Sequence, residues 1–326
     1  MIEYRYILEP YNGLKSRYTC PQCSKGRIFT RYIDSETGQH LSPNVGKCNR
    51  EINCGCHYTP KQYFQDNNIS LVTIYAGQQK RIETVPIHEK QISFISDNVL
   101  QKSLKIGNKT IQLADTNNFI MYLVKLFGIE ITSQLVDKYY IGTSKHWNKS
   151  TVFWQIDISG KIRTGKIMLY NPITGKRIKE PFSYITWAHK VLKLADFNLQ
   201  QCFYGEHLLR LPENSNKPVA IVESEKTAII ASAYLSGLTW LAVGSLQNLT
   251  VEKFKVLKGR KVVLFPDLKA FDIWETKARG FKDITTFTIS DLLERKATEA
   301  EKEQGFDLAD YLIRFDYKEF LAKESY

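Results

Sequence analysis

Two short apolar segments in the C-terminal third of the chain limit the choice of fold most, because each ends in a carboxylate. Residues 218–223 have the sequence PVAIVE, and residues 261–267 have the sequence KVVLFPD. A run of branched and large apolar side chains is typical of a strand buried on both faces of a parallel α/β sheet. Ligands of such sheets bind at the carboxyl ends of the strands. Glu223 and Asp267 are therefore predicted to approach one divalent cation, and the alternative is that each acid caps the helix after it.

Helices and strands are predicted to alternate regularly around these two segments. Small and apolar residues lie on one helical face of residues 224–235, and Gly237 ends that helix. The later elements are a strand at 240–243, helices at 251–257 and 270–279, a strand at 284–289 and a helix at 308–315. This order predicts a doubly wound α/β domain with a parallel sheet over residues 214–326.

Four motifs of this region resemble those of toprim domains, the catalytic fold of bacterial-type primases, topoisomerases and some nucleases. They are VESEKTA at 222–228, VGS at 243–245, FPD at 265–267 and DLADYL at 307–312. The resemblance implies that Glu223 is a general acid or base and that it holds magnesium or manganese together with Asp267. A toprim domain has an Asp-x-Asp pair on its third strand, and Lys269 stands here in place of the second aspartate. The nearest catalytic replacement is Asp272, one helical turn from Asp267, and Asp310 is a further candidate magnesium ligand.

The first 66 residues are predicted to form a zinc ribbon. Five of the six cysteines lie between positions 20 and 56. A Cys-x2-Cys turn at Cys20 and Cys23 brings two thiolates to one tetrahedral ion, and a second pair later in the chain closes the ribbon. No apolar segment of a signal peptide follows Met1. Structural zinc is therefore a better interpretation than disulfide bonds, which form in oxidising compartments.

The second pair of zinc ligands has four candidates, which are Cys48, Cys54, Cys56 and His57. Cys54 is followed by Gly55, and a glycine lets backbone N–H groups turn toward a thiolate sulfur. The predicted ligands are therefore Cys20, Cys23, Cys48 and Cys54, with His57 as an alternative. Cys56 and Cys202 are predicted not to bind metal.

The order of a zinc ribbon followed by a toprim domain is the order seen in bacterial-type primases. The chain further resembles primase-like proteins on mobile elements of the Bacteroides group, through YTCPQCSKGRIFTRYID, GKCNREINCG and HYTPKQYF. Arg27 and Arg31 lie among aromatic residues of the predicted ribbon strand. Such a face suits single-stranded nucleic acid, whose phosphates meet cations and whose bases stack on rings, and a solvated ribbon face is the alternative.

A basic module is predicted between the ribbon and the α/β domain. The chain has 45 Lys and Arg against 34 Asp and Glu, and this excess favours a polyanionic partner. Residues 151–157 and 162–170 are predicted to form a hairpin, preceded by helices at 118–127 and 132–139. The predicted nucleic-acid contacts of this module are Lys161, Arg163, Lys166, Lys176, Arg177 and Lys179, set among Trp154, Tyr170, Phe182 and Trp187. Charged hairpins are also common on proteins that bind no nucleic acid. The predicted domains are a ribbon at 1–66, a linker at 67–110, a mixed α+β basic module at 111–213 and a toprim domain at 214–326.

The resemblance implies a primase that binds single-stranded DNA and makes short RNA primers from ribonucleoside triphosphates, in the replication of a mobile element. The cofactors of such a primase would be structural zinc and catalytic magnesium or manganese. The resemblance also implies a replicative helicase as a further partner. Two other functions stay open, which are a metal-dependent nuclease and a DNA-binding accessory protein without catalysis. No apolar run reaches the ~18 to 20 residues of a membrane span. The sequence therefore predicts a cytoplasmic protein without a membrane partner.

Overall fold

The chain divides into two compact units, Met1–Ile87 and His88–Tyr326. The computed structural model describes residues 5–50, 54–66, 91–105 and 116–321. The boundary between the units falls inside the predicted linker at 67–110, most of which lies outside the described residues.

The first unit is an antiparallel sheet of four strands in the order β1-β2-β3-β4, followed by a short helix. Its elements are β1 Tyr6–Leu8, β2 Phe29–Asp34, β3 Gly46–Cys48, β4 His57–Tyr58 and α1 Pro60–Asp66. Phe29 is fully buried and pairs with Cys48 across β2 and β3. A Cβ at Gly46 would come within 2.6 Å of the Phe29 ring, so only glycine fits this position. The close approach of these strands places Cys48 in the core of the ribbon.

The second unit contains two sheets and ten described helices. Its strands are β5 Ile141–Ser144, β6 Ser150–Ile156, β7 Ile162–Met168, β8 Ile185–Trp187, β9 Val219–Val222, β10 Thr239–Ala242, β11 Lys261–Leu264 and β12 Thr286–Ile289. Its helices are α2 Asp97–Lys105, α3 Asn118–Tyr139, α4 Ala188–Val191, α5 Glu225–Tyr234, α6 Val251–Phe254, α7 Phe271–Ala278, α8 Leu292–Lys296, α9 Glu299–Gln304, α10 Leu308–Leu312 and α11 Lys318–Leu321. Short 3-10 turns occupy Glu206–Arg210, Pro212–Asn214, Leu246–Asn248, Lys255–Leu257 and Arg279–Phe281.

The predicted parallel sheet is confirmed. Its order is β10-β9-β11-β12, and every neighbouring pair is parallel. All four residues of β9 are fully buried, which explains why that segment lacks polar alternation. The chain leaves β9 toward β10 on one side and returns as β11 on the other side. This reversal opens a crevice at the carboxyl ends of β9 and β11, the usual ligand position in open α/β sheets.

The other sheet is antiparallel in the order β5-β6-β7-β8, and helix α3 packs on it. Asn117 caps α3 by accepting a hydrogen bond from the N–H of Ile120, and Gly128 interrupts the helix with a φ of 77°. This interruption corresponds to the gap between the two helices predicted at 118–127 and 132–139. By length and composition α3 is the one described helix that could cross a membrane, but nearly half of its most apolar window is buried inside the unit. A core helix has the same properties.

The two sheets of the second unit share a hydrophobic core. One cluster joins Phe153 of the antiparallel sheet to Ala220 and Ile229 of the parallel domain. Tyr204 extends the parallel sheet, because its N–H and C=O exchange hydrogen bonds with Ala242 at 2.9 and 3.0 Å. The basic module and the α/β domain therefore pack as one body, and the division predicted between residues 213 and 214 stays a prediction.

Candidate functional site

The first unit brings four cysteines together. The sulfur atoms of Cys20, Cys23, Cys48 and Cys54 all lie within 4.8 Å of one another, and Cys20 Sγ is 3.7 Å from Cys54 Sγ. Two thiolates on one tetrahedral zinc lie about 3.8 Å apart, given a Zn–S bond of about 2.3 Å. Within the described part of the chain, no other group of three or more His, Cys, Asp and Glu side chains converges this closely. The four residues are those predicted as zinc ligands, and their geometry fits that ion.

Two tight turns direct these thiols toward each other. After Cys20, the N–H of Ser24 donates to the Cys20 carbonyl at 2.9 Å, and Ser24 adopts a φ of 54°. Before Gly55, the N–H of Cys54 donates to the Arg50 carbonyl at 2.8 Å, and Gly55 has a φ of 63°. The backbone N–H of Lys25 lowers the pKa of Cys23 to about 7, and burial raises the pKa of Cys54 to about 12. Metal binding must therefore displace protons from this cluster.

The alternative zinc ligands lie outside the group. Cys56 is buried beside it, and its carbonyl accepts a hydrogen bond from the Cys48 N–H at 2.7 Å. His57 is exposed, its Nε2 lies 2.9 Å from the Tyr32 hydroxyl, and the two rings are stacked. Cys202 is buried in the second unit, where burial raises its pKa well above the usual range. The structure therefore gives none of these three the position of a fourth ligand.

In the second unit, Glu223 directly follows β9, and Asp267 follows β11 by three residues. Neither acid caps the helix after it. Ser224 caps α5, because its hydroxyl accepts a hydrogen bond from the Thr227 N–H, and Ala270 is the N-cap residue of α7. The helix-cap interpretation of the two carboxylates is therefore wrong.

Both carboxylates line a cavity of about 590 Å³ at the carboxyl ends of β9 and β11. Its charged lining residues are Glu223, Glu225, Asp267, Asp307 and Asp310 together with Lys166, Lys176, Arg177, Lys179 and Lys226. The predicted magnesium ligand Asp310 is thus near Glu223 and Asp267. Asp272 is exposed in the first turn of α7 and does not line the cavity, which corrects its prediction as the third catalytic acid. The prediction assumed helical spacing between Asp267 and Asp272, but α7 begins only at Phe271 and Asp267 lies before it.

Asp267 carries the least satisfied carboxylate of the cavity. Its Oδ1 is buried and has no hydrogen-bond partner among the described residues. Burial, with the negative charges of Asp307 and Glu223, raises the pKa of Asp267 well above its usual range. Burial also raises the pKa of Glu223, although the Leu246 N–H and the Lys166 ammonium oppose it. A cation placed between these two acids would remove the cost of burying them ionised.

Lys166 was predicted to contact nucleic acid, but the structure places it in the interior. Its Nζ lies 3.1 Å from Glu225 Oε2 and donates to the Gly244 carbonyl at 2.7 Å. Glu225 is 1% exposed, and its Oε1 has no partner within the described structure. Gly244 has a φ of 84°, and a Cβ there would come within 3.2 Å of that same Oε1. Lys166 therefore ties the antiparallel sheet to the floor of the cavity.

Lys226 forms a second, partly buried ion pair beside Asp267. Its Nζ lies 3.4 Å from both Asp307 Oδ2 and Asp310 Oδ1. Burial lowers the pKa of Lys226, but Asp307 and Asp310 outweigh burial and raise it. Asp307 caps α10 in a capping box with Asp310, and it accepts a hydrogen bond from the Thr227 hydroxyl at 2.9 Å. The sequence reasoning did not assign Asp307 a role, although an acid three residues before another at the start of an apolar run is the signature of such a box.

The other predicted nucleic-acid contacts lie outside this cavity. Arg163 Nε is 2.6 Å from Asp157 Oδ2, and the guanidinium lies 5.1 Å over the Phe94 ring. Lys161 is exposed near the same hairpin turn. In the ribbon, Arg27 is exposed and Arg31 lies 3.9 Å over the Tyr18 ring. The predicted surface of six cations thus separates into four that line the cavity and two at the hairpin.

Two sequence families match the chain. The zinc beta-ribbon finger family matches residues 4–69, and a domain of unknown function, DUF6371, matches residues 117–268. The ribbon match and the cysteine geometry agree that the first unit is a zinc ribbon. No protein of curated function matches the sequence.

Several solved structures have a distantly similar fold. The primase fragment of the bacteriophage T7 primase-helicase protein is 12% identical, with a TM-score of 0.37 over 92% of this chain and 98% of its own. The DnaG catalytic core is 12% identical, with a TM-score of 0.41 over 67% of this chain and 81% of its own. The Aquifex aeolicus primase, with its zinc-binding and RNA polymerase domains, is 12% identical, with a TM-score of 0.38 over 97% of this chain and 79% of its own.

Proposed function

We propose that the protein is a primase-like nucleotidyltransferase that binds single-stranded DNA and joins ribonucleotides into short primers. The observation that carries this proposal is the position of Glu223 and Asp267 at the crevice between β9 and β11, with Asp267 Oδ1 buried and unpartnered by any described residue. By their resemblance to toprim motifs, Glu223 has the position of a general acid or base of that family and Asp267 has the position of a magnesium ligand. The second unit would then be a basic module followed by a toprim domain.

The cavity suits a magnesium or manganese ion that also contacts substrate. Magnesium is usually held by one or two carboxylates together with waters and substrate phosphates. Glu223 and Asp267 would hold the ion, and water and substrate phosphates would supply its remaining ligands. When bound, the ion would stabilise the charge that develops on the transferred phosphoryl group.

The side chains of the chain itself supply the remaining functions. Arg177 is exposed at the cavity, and its fork of N–H donors is suited to bind the oxygens of a triphosphate. In the reaction, the 3′-hydroxyl oxygen of one nucleotide forms a bond to the α-phosphorus of the next. The bond to the α–β bridging oxygen breaks and pyrophosphate leaves. Glu223, whose pKa is raised by burial, can accept the hydroxyl proton.

The zinc ribbon would contribute binding of the template. Its metal would hold the two knuckles rigid, and Arg27 and Arg31 would meet phosphates of the single strand. The protein would act in the replication of a mobile element, with a replicative helicase as a further partner.

One observation favours a second function, a DNA-binding accessory protein without catalysis. Lys269 stands at the toprim aspartate position, is exposed, and does not line the cavity. Its backbone has a φ of 70°, and its N–H donates to Glu294 Oε1 at 3.0 Å. The carboxylates available to a metal are therefore fewer than in the family pattern.

An assay with labelled ribonucleotides, single-stranded DNA and magnesium tests these functions. We expect short labelled products that disappear in the Glu223→Gln variant and persist in the Asp272→Asn variant, whose side chain is outside the cavity. Degraded template without product would identify a nuclease that uses the same carboxylates. Binding without either product would identify the accessory protein, and both of these results would overturn the proposal.

A further inference from the structure

A cluster of aromatic rings lies at the edge of the antiparallel sheet, near the cavity. The Phe182 and Tyr184 rings are stacked with centroids 4.2 Å apart, and Trp147 meets Tyr184 edge-on at 5.3 Å. His146 packs on Trp147 with centroids 4.4 Å apart. Trp154 and Tyr170, which the sequence analysis placed on the nucleic-acid surface, are each 2% exposed and belong to the core. The aromatic surface of the module is therefore built from other residues than those predicted.

The outermost ring of this cluster is open to solvent. Phe182 is 52% exposed, although its other face is stacked on Tyr184. Leaving an apolar ring in water forgoes the favourable transfer that burial would give. Packing of the loop explains why one face of the Phe182 ring is stacked on Tyr184. It does not explain why the rest of the ring is exposed. A stack that ends on an open face can be continued by another flat ring.

Cations outnumber acids in the sequence around the stack. Lys145 and Lys149 flank Trp147, and the segment before Phe182 has three cations at positions 176, 177 and 179 and one acid, Glu180. Lys176 and Lys179 also line the carboxylate cavity. Lys179 is three residues before Phe182, and three residues of extended chain span at most about 11 Å. The open ring is thus within one or two nucleotides of a cation that borders the proposed active site.

We propose that Phe182, supported by Tyr184 and Trp147, is a stacking platform for a base of a single-stranded nucleic acid. Lys176 and Lys179 would hold the adjoining phosphates, so that the strand runs from the platform toward the cavity. Aromatic stacking with flanking cations is the recurring way in which proteins hold single strands without reading their sequence. The partner in this inference rests on the proposed function, but the assignment of the platform rests on the exposed stack.

Binding of labelled oligonucleotides to the full chain tests this inference, because a ring and a lysine contact different parts of the strand. The two probes are an oligothymidylate and an abasic strand of equal length and charge. We expect Phe182→Ala to weaken binding of oligothymidylate by about 5- to 150-fold, the contribution of one stacked base, and to leave the abasic strand unchanged. Lys179→Ala should weaken binding of both probes. An oligouridylate arm then shows whether the platform also accepts RNA.

Two further variants control for folding and for exposure. Phe182→Leu keeps an apolar side chain but removes the ring, so it should preserve the melting temperature and lose the same selectivity for bases. Phe315→Ala removes a ring that is 55% exposed elsewhere in the same unit, and it should change neither affinity. An equal loss with both probes in Phe182→Ala, or no loss, would overturn the platform. Primer synthesis by the parent protein would stand in that case, whereas selective loss without any primer synthesis would reject only the proposed function.

Discussion

The cysteine cluster of the ribbon and the carboxylate cavity of the second unit bring ionisable side chains together in two different ways. In the ribbon, four like ligands lie within 4.8 Å of one another. In the cavity, acids alternate with cations, since Lys166 pairs with Glu225 and Lys226 pairs with Asp307 and Asp310. The first arrangement fills the coordination sphere of one ion, as structural sites do. The second leaves ligand positions for water and substrate, as catalytic sites do.

This difference decides which unit depends on its metal for folding. The ribbon cluster consists of four thiols, and a bound zinc ion would compensate their charge when they ionise. The hydrophobic cluster around the thiols is also small, with Phe29 and three cysteines as its buried members among the described residues. The second unit pairs three of the five acids of its cavity with lysines and has two large hydrophobic clusters. We therefore expect zinc to be required for the first unit and magnesium to be dispensable for folding of the second.

Loss of zinc should have the largest effect. The apparent free energy of structural zinc binding is about 10–16 kcal/mol in small zinc domains. Cys54→Ala should therefore release zinc and unfold residues 5–66, while the second unit keeps its hydrogen-exchange protection. Zinc content measured by elemental analysis and exchange measured by mass spectrometry check this outcome.

Cys56→Ala is the matched control for that experiment. It removes a thiol that is buried beside the cluster but lies outside it, so zinc should be retained at one ion per chain. Zinc-free protein with a protected ribbon, or zinc loss in Cys56→Ala alone, would contradict the assignment of the four ligands.

The cavity should respond in the opposite way to loss of its ligands. The Glu223→Gln/Asp267→Asn double variant keeps the shape of both side chains and removes the charge on which a hard cation depends. We expect nucleotidyl transfer to fall by at least about 10²–10³-fold, as for loss of a main electrostatic contact. The free energy of unfolding without metal should stay level or rise, because two buried carboxylates no longer need to be ionised. Chemical denaturation without divalent ions measures this free energy. A large loss of stability in the double variant would mean that these acids hold the fold together.

A third experiment tests the acid sensitivity of the second unit. Burial lowers the pKa of His207 from 6.5 to about 4, and its Nε2 lies 3.0 Å from the Lys138 carbonyl. Because the unfolded chain binds this proton more tightly, the stability of the second unit should fall by about 3 kcal/mol as the pH drops from 6.5 to 4. His207→Gln should flatten that dependence, whereas His146→Gln, at an exposed position, should not. Hydrogen exchange within α3 across this pH range is the measurement, and an unchanged slope in His207→Gln would contradict it.

The sequence predicted the ribbon site more completely than the cavity because the ribbon ligands are set by local turns. The Cys-x2-Cys turn and the knuckle at Gly55 are each determined by a few neighbouring residues. In contrast, Lys166 reaches Glu225 across 59 residues, and Thr227 reaches Asp307 across 80 residues. The apolar segments that form β9 and β11 predicted where Glu223 and Asp267 would lie. Which side chains of other elements join them depends on packing that no local pattern encodes. The exposed position of Asp272 has the same origin, since helical spacing from Asp267 assumed a helix that begins later.

The smallest expected effect tests whether the cavity lacks one ligand of a toprim site. Lys269→Asp restores the acid of the family pattern, and aspartate tolerates the left-handed φ of 70° at this position better than most residues. Lys269 is exposed and does not line the cavity, so the new carboxylate should stay in solvent. It would also lie beside Glu294, whose carboxylate accepts the backbone N–H of residue 269. We therefore expect magnesium affinity, measured by isothermal titration in the parent and in the variant, to agree within about 0.5 kcal/mol, the usual range for surface substitutions. A markedly tighter variant would show that this turn moves into the cavity when metal binds. The carboxylate cavity would then have open ligand positions, unlike the cysteine cluster, only in the metal-free protein.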